Sequence, residues 1–323
     1  MNSSTSSQNG KSVSVVVLSY RRPEMLRQAL QGLSLQTCRP AEVLVIDNRS
    51  SRSDEVAAVA AQFPEFRLIA NADNTGFTGG MNLGLEKVTS EYVLLSEDDM
   101  VLESRCLAAL VDYASGRPEP GILSGPVRRG GTDQLIFAGG TIDLQAVFRF
   151  KIRGEGERLE SQPSQPYPVE FVTGSMVFAR TRTLRELGGF RPDFFMYSED
   201  VELSLRAARF GVDLTVVPQA VATHLDSNPK PPSELVAFHK LKNFFAVYLL
   251  HAPARVLPMF FLRYGIWHPL RLLCTDRAGF VQHMRALRHT LLHLRTLWRD
   301  RLAIARSVSR RRIGTGPDVP SQA

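Results

Sequence analysis

Short β-branched runs alternate with helix-spaced segments through the first 115 residues, and that alternation narrows the fold more than any other feature. Residues 12–19 (SVSVVVLS) leave no room for a 3.6-residue period, so they read as a buried parallel strand. Pro23 opens a helical stretch, PEMLRQALQGLSLQ, at a position proline favours. Strands are expected at 42–47, 66–70 and 91–96, with helices at 54–62, about 80–88 and 104–114. Asp54 is placed as the N-cap of the first of these helices, and a glycine-rich turn is placed before the second. Strands that alternate with helices give an α/β fold, a mostly parallel sheet covered on both faces.

The strands of such a sheet end on one rim, where ligands bind. Three of them end in polar groups: Ser19-Tyr20-Arg21, Asp47-Asn48 and Glu97-Asp98-Asp99. Three adjacent acids after the apolar run YVLL would repel one another unless a cation joined them. If the strand continues, Glu97 and Asp99 share a face and Asp98 points away. Oxygen ligands of this kind suit magnesium or manganese.

Further along, NTGFTGGMNLG (74–84) holds four glycines in eleven residues, which would let backbone approach a phosphate. No Lys-Ser or Lys-Thr follows the last glycine, so it is not a P-loop. Residues 126–168 break the pattern and read as an irregular, antiparallel excursion. A strand is expected at 171–179, a helix over TRTLRELGG, a helix at 199–210 and a last strand at 213–217. Glu199-Asp200 opens the helix beside the aromatic run FFMY, where a carboxylate gains proton affinity and can serve as a general base. His224 follows the last expected strand in VATHLDS, and beside an acidic metal rim it would serve as a third ligand.

In this order the pieces resemble family 2 glycosyltransferases of the GT-A (Rossmann-like) fold. The matching text is VVVLSYRRPEML, EVLVIDNRSS, NTGFTGGMNLG, YVLLSEDDMV, FVTGSMVFARTRTLRELGGFRPDFFMYSEDVELSLRAARFG and VVPQAVATH. The glycine loop and the GGF…FFMYSED stretch are most similar to the rhamnosyltransferase-like branch. The resemblance implies an inverting, metal-dependent transferase that moves a sugar from a nucleoside-diphosphate sugar, dTDP-rhamnose or a UDP-sugar, to an acceptor hydroxyl. The acceptor would be a glycan, a lipid-linked saccharide or a small molecule. Asp200 would be the base with Glu199 beside it, and Asp47 would hold the nucleotide base. Glu97, Asp99 and His224 would hold Mn2+ or Mg2+. Ser19, Tyr20, Arg21, Asn74, Gly76, Gly80, Asn82, Asp98 and Gly174 would complete the donor site. Two departures stand out: Ser19-Tyr20-Arg21-Arg22 replaces the usual Thr-Tyr-Asn-Arg, and Glu97 replaces the first Asp of the DXD motif.

The resemblance covers about residues 12–250. The domain plan expected is a tail at 1–11, a catalytic domain at 12–227 (nucleotide half to about 115, acceptor half after it), a helical basic extension at 228–312 and a tail at 313–323. Charge supports the extension: residues 263–312 carry twelve Arg, no Lys and two acids, +10 of a total of +7, which leaves −3 elsewhere. Its mixture of Arg with large apolar residues suits either an anionic membrane or packing on the domain. Three scattered cysteines, no secretory signal and no uncharged apolar run of about eighteen residues point to a cytoplasmic protein, which would be peripheral on the cytoplasmic face of the inner membrane if the extension binds lipid. A nucleic-acid binder would leave the acid rim unexplained and shows no reading motif. A sugar-phosphate nucleotidyltransferase would need a basic glycine-rich loop after the first strand, where SYRRPEM stands instead. A non-catalytic sugar-nucleotide-binding homologue would not keep every acid.

Overall fold

The computed structural model describes residues 12–145, 149–226 and 233–314, the last eight by backbone alone. The tail at 1–11 lies outside them, as do residues 315–323 and the breaker before Ser233. Ile313 and Gly314, expected in the C-terminal tail, close the last helix.

The N-terminal half runs β1 (Val13–Ser19), α1 (Pro23–Ser34), β2 (Glu42–Asp47), α2 (Ser53–Ala60), β3 (Arg67–Ala70), α3 (Gly76–Lys87), β4 (Tyr92–Glu97), β5 (Met100–Leu102) and α4 (Cys106–Ser115). The excursion follows: β6 (Ile122–Ser124), β7 (Val127–Arg129), β8 (Leu135–Phe137), β9 (Gly140–Asp143), β10 (Arg149–Ile152) and β11 (Tyr167–Pro168). Then come β12 (Met176–Arg180), α5 (Thr181–Leu187), α6 (Glu199–Arg209), β13 (Leu214–Val216) and β14 (Ala222–His224). The C-terminal part is helical: α7 (Glu234–His251), α8 (Leu257–Phe261), a π-helical turn (Leu262–Trp267), α9 (His268–Thr275), α10 (Arg277–Leu292) and α11 (Leu294–Gly314).

The main sheet has the order β11-β13-β6-β12-β4-β1-β2-β3. Strands β4, β1, β2 and β3 run parallel, and β12 enters antiparallel between β4 and β6. All seven residues of β1 are buried, and alternation divides them between two cores. Val13, Val15 and Val17 join Leu26, Leu30 and Leu33 of α1 on one face, while Val16 and Leu18 join Met81 and Leu85 of α3 on the other. The first of these cores extends through Phe245–Leu250 of α7 to Ile304 of α11, so the C-terminal helices share the main sheet's core.

Four sequence expectations are corrected. Helix α3 starts at Gly76, so most of the expected glycine turn is helix. Its glycines serve packing: a Cβ on Gly84 would sit 2.3 Å from Cγ1 of Val16, and one on Gly80 2.3 Å from Cδ1 of Leu18. Asp54 is not the N-cap of α2, because the helix begins one residue earlier and Ser53 Oγ donates to Ser50 O at 2.7 Å. The strand expected at 171–179 shortens to β12, since Thr173–Ser175 form a turn into the site. Finally, 213–217 is not the last strand: β14 follows and pairs with β5 and β7 in a four-stranded second sheet. Gly84→Ala is expected to destabilise by about 1–3 kcal/mol, because stiff, fully buried Val16 cannot yield. Gly80→Ala, facing a pliant Leu terminus, should cost less, and urea titration of the two variants checks the order.

Candidate active site

Parallel pairing puts the ends of β1, β2 and β4 on one rim. Strand β4 stops at Glu97, and Asp98 and Asp99 form the turn into β5. The extended geometry therefore fails here, and Asp98 does not point away. It is fully buried under the rim, accepting the Tyr20 N–H at 3.0 Å while its own N–H donates to Leu18 O at 3.0 Å.

Arg22, just beyond β1, holds this turn. Its Nη2 is 2.9 Å from Asp98 Oδ1 and 3.8 Å from Glu97 Oε2, and its Nη1 pairs with Asp99 Oδ2 and lies 3.9 Å from Asp226 Oδ2. Desolvation alone would lower the guanidinium's proton affinity, but Asp98, Asp99 and Glu97 together raise it. The acids feel the same contest from the other side. Desolvation at the cleft floor, then repulsion from Asp99, pushes Glu97 up to about 8 against the pull of Arg22. Desolvation pushes Asp98 up to about 6, again relieved in part by Arg22.

The expected metal ligands are partly gathered. His224 Nε2 is 3.5 Å from Asp99 Oδ2, and Asp99 Oδ1 is buried without a hydrogen-bond partner. Glu97 stands across Arg22 from them. Among the described residues no three His, Cys, Asp or Glu side chains converge tightly enough to hold an ion. The physical reason is Arg22, whose charge neutralises the acids where they stand. The donor set itself, carboxylates with an orphaned oxygen and one imidazole, fits a hard divalent cation.

Helix α6 supplies the second acid pair. Asp200 receives the Gly174 N–H at 3.2 Å and the Val201 N–H at 2.8 Å. Desolvation raises it to about 6, and these amides hold it from going higher. Glu199 is buried, its Oε2 lacks a partner, and desolvation followed by repulsion from Asp200 lifts it well above the ordinary range. The preceding loop is strained: Phe195, Tyr197 and Ser198 have φ of 64°, 67° and 62°. Each left-handed non-glycine residue costs on the order of 1–3 kcal/mol unless its surroundings impose it. Asn243 on α7 imposes it, its Nδ2 lying 2.9, 2.9 and 2.7 Å from the carbonyls of Phe194, Met196 and Tyr197. From the other side Gly76 (φ 70°) packs so closely that a Cβ would lie 2.3 Å from Phe195 O.

Two cavities meet at this loop. One, about 660 Å3, is lined by Tyr20, Arg22, Asn48, Asn74, Gly76, Glu97, Asp99, Tyr197, Glu199, His224, Asp226 and Lys240. The other, about 740 Å3, shares Glu97, Tyr197, Glu199, His224 and Lys240 and adds Asp200 and Gly174. Other expected residues lie elsewhere. Ser19 is buried at the end of β1, and Arg21 lies with its guanidinium 5.9 Å from the Tyr20 ring centre. Asp47 is 2% exposed and accepts the Ser50 N–H at 3.1 Å, which closes its own turn. Gly80 lies under Leu18, and Asn82 clamps Phe190 through both its N–H (2.8 Å) and its carbonyl (2.7 Å).

Sequence reasoning missed Arg22, Asn48, Tyr197, Asp226 and Lys240. Asn48 is a hub: it donates to Gly76 O at 2.9 Å and Asn74 Oδ1 at 3.1 Å and accepts from Asn71 at 3.0 Å. Its place at the end of β2 was the available signal, as proximity to β1 was for Arg22. Lys240 and Tyr197 pair across more than forty residues, ammonium 4.6 Å from the ring centre, and no local pattern announces that.

A family model described as "Glycosyltransferase like family 2" matches residues 10–243. The chain belongs to glycosyltransferase family 2. This glycosyltransferase is 29% identical over 253 residues to N-acetylglucosaminyl-diphospho-decaprenol L-rhamnosyltransferase of Mycobacterium tuberculosis (strain ATCC 25618 / H37Rv), covering 70% of this chain and 81% of that one. It is 28% identical over 230 residues to O-antigen biosynthesis protein RfbC of Myxococcus xanthus, covering 67% of this chain and 17% of that one. It is 24% identical over 213 residues to the low-salt glycan biosynthesis hexosyltransferase Agl10 of Haloferax volcanii, covering 62% and 63%. Its fold matches a crystal structure of GalNAc-T7 with UDP, GalNAc and Mn2+, at a TM-score of 0.59 and 18% identity over 75% of this chain and about half (48%) of that one. That match establishes the GT-A architecture of the glycosyltransferase.

Proposed function

We propose that this glycosyltransferase moves a sugar, rhamnose or another hexose, from a nucleoside-diphosphate donor to a hydroxyl of a lipid-linked or glycan acceptor, inverting the anomeric carbon. The observation that carries the reading is Asp200: a carboxylate titrating near 6, oriented by two amides, in the second cavity and next in sequence to Glu199, which lines both cavities. The donor lies in the cavity of Tyr20, Asn74 and Gly76, and the acceptor in the cavity of Gly174 and Asp200. Asp200 takes the acceptor hydroxyl proton as that oxygen attacks the anomeric carbon. The bond from that carbon to the diphosphate oxygen breaks on the opposite face, and the nucleoside diphosphate leaves. One displacement needs no protein nucleophile, unlike the two-carboxylate retaining route.

Glu97, Asp99 and His224 would hold Mn2+ or Mg2+, which when bound supplies positive charge for the leaving diphosphate. The Mn2+ in the GalNAc-T7 structure and the orphaned Asp99 oxygen support this. Lys240 lines the donor cavity and adds positive charge there, whereas the charge of Arg22 is already matched by the acids. A panel of nucleotide sugars incubated with Mn2+, Mg2+ or chelator tests the proposal. Release of nucleoside diphosphate that requires the cation, and an inverted anomeric proton coupling in the product, are expected. Release of inorganic pyrophosphate, or a retained anomer, would refute it.

The C-terminal helices lie on an anionic membrane in this reading. Leu257 and Phe260 are buried, whereas Met259, Leu262, Ile266, Trp267, Leu270 and Leu273 are exposed on one face. Arg255, Arg263, Arg271 and Arg277 accompany them, and no helix among the described residues is long and apolar enough to cross a membrane. Co-flotation with anionic vesicles at low salt, lost in Trp267→Ser/Leu270→Ser, is the expected result.

A further inference from the structure

The cavity beside Asp200 has two unlike ends. The reacting end carries Thr173, Ser175, Ser198, Glu199 and Asp200. The far end is walled by Ile136, Phe137, Phe150, Ile152, Phe171 and Phe244, from β8, β10, the segment before β12, and α7. Phe171 interlocks edge-on with Phe137 (5.6 Å between centres) and Phe150 (4.7 Å), which fixes the wall.

We infer that the acceptor is an amphiphile, with a hydrocarbon or aryl body within about one sugar ring of the hydroxyl that reacts. A bare saccharide would bring hydroxyls against this wall, and each hydroxyl left without a partner there costs about 1–3 kcal/mol. A platform for stacking sugars needs polar side chains beside its rings to meet those hydroxyls; Lys240 stands one turn from Phe244, but on β8 and β10 the neighbours of Phe137 and Phe150 that line the cavity are Ile136 and Ile152. An apolar body gains from the same surface, and 740 Å3 holds both a ring and a sizeable aglycon. The wall also has a back. Phe244 packs on Phe260 (5.4 Å) and Tyr264 (4.9 Å), beneath the helices whose outer face exposes Leu262, Ile266 and Trp267. An acceptor drawn from a lipid surface would meet apolar side chains from that face to the cavity.

This inference rests on the transfer reading, and one experiment separates the two. Donor hydrolysis without acceptor reports on the reading itself: none with any nucleotide sugar overturns transfer. Acceptor selectivity reports on the inference. Methyl, hexyl and phenyl glycosides of common hexoses, kept below micelle-forming concentration, are compared by kcat/KM with the active donor. The hexyl and phenyl glycosides are expected to exceed the methyl glycosides by about tenfold or more. Phe150→Ser, and independently Ile152→Ser, should reduce that ratio by about tenfold, mainly through KM for the acceptor. Both side chains are only half-buried, so the variants should fold. Equal kcat/KM for methyl and hexyl glycosides, or a ratio unmoved by both substitutions, overturns the inference.

Discussion

Asp200→Asn is expected to lower turnover by about 10² to 10⁴, to leave donor binding near normal, and to raise the melting temperature at pH 7.5. The first effect follows from losing the group that accepts the hydroxyl proton. The third follows from the strain this group imposes. Asp200 titrates near 6 in the folded chain against an ordinary 3.8. Between these values the folded state holds a proton that the unfolded state has released, so stability falls as pH rises from about 4 to 6 and stays reduced above. The difference amounts to at most about 3 kcal/mol at neutral pH. A neutral Asn escapes it while keeping an oxygen for one of the two amides. Kinetics and calorimetry on one preparation check both halves: unchanged turnover rejects the base, and a lower melting temperature rejects the electrostatic account. Wild-type activity should also decline as pH falls through about 6, as Asp200 gains its proton.

Glu202→Ala is expected to destabilise by about 3–5 kcal/mol. Glu202 lies less than one helical turn from Asp200, yet its electrostatics have the opposite sign. It is fully buried, accepts Arg206 Nε at 3.0 and 3.1 Å and Nη2 at 2.7 Å, and lies 3.2 Å from His251 Nε2. Burial alone would raise its pKa, but Arg206 and then His251 outweigh burial and bring it down to about 2. Its contribution is therefore complete above about pH 4.5 and is lost as pH falls toward 2. Burial lowers the pKa of His251, which leaves it a neutral donor at pH 7. Removing Glu202 strands the Arg206 charge in the core, although Arg206 keeps Gly189 O at 2.8 Å. The Glu202–His251 contact joins α6 to α7, so the loss should also loosen the helix that presents Asp200. A urea midpoint that implies less than about 1 kcal/mol would contradict this.

Much of the site was legible in the chain because its signals are local. β-branched runs cannot form helices easily, parallel strands must end together, and acids at a strand end must be neutralised, so the rim, the three acids at 97–99 and the pair at 199–200 could be placed without coordinates of any kind. The glycines of 74–84 misled because glycine spacing looks the same whether it frees a loop or admits a neighbouring strand. Only Val16 and Leu18, more than sixty residues away, make it the second.

The sequence by itself determined the α/β order, the acid-bearing rim and the basic helical end, since each depends on residue type and spacing over a few turns of chain. The tertiary structure alone decided that Arg22, not neighbouring backbone, balances four acids, that Asn243 holds the loop before Asp200, and that six apolar side chains wall the second cavity. Those are contacts between residues tens to hundreds of positions apart. Their energies depend on distance and desolvation, which are set only when the layers pack.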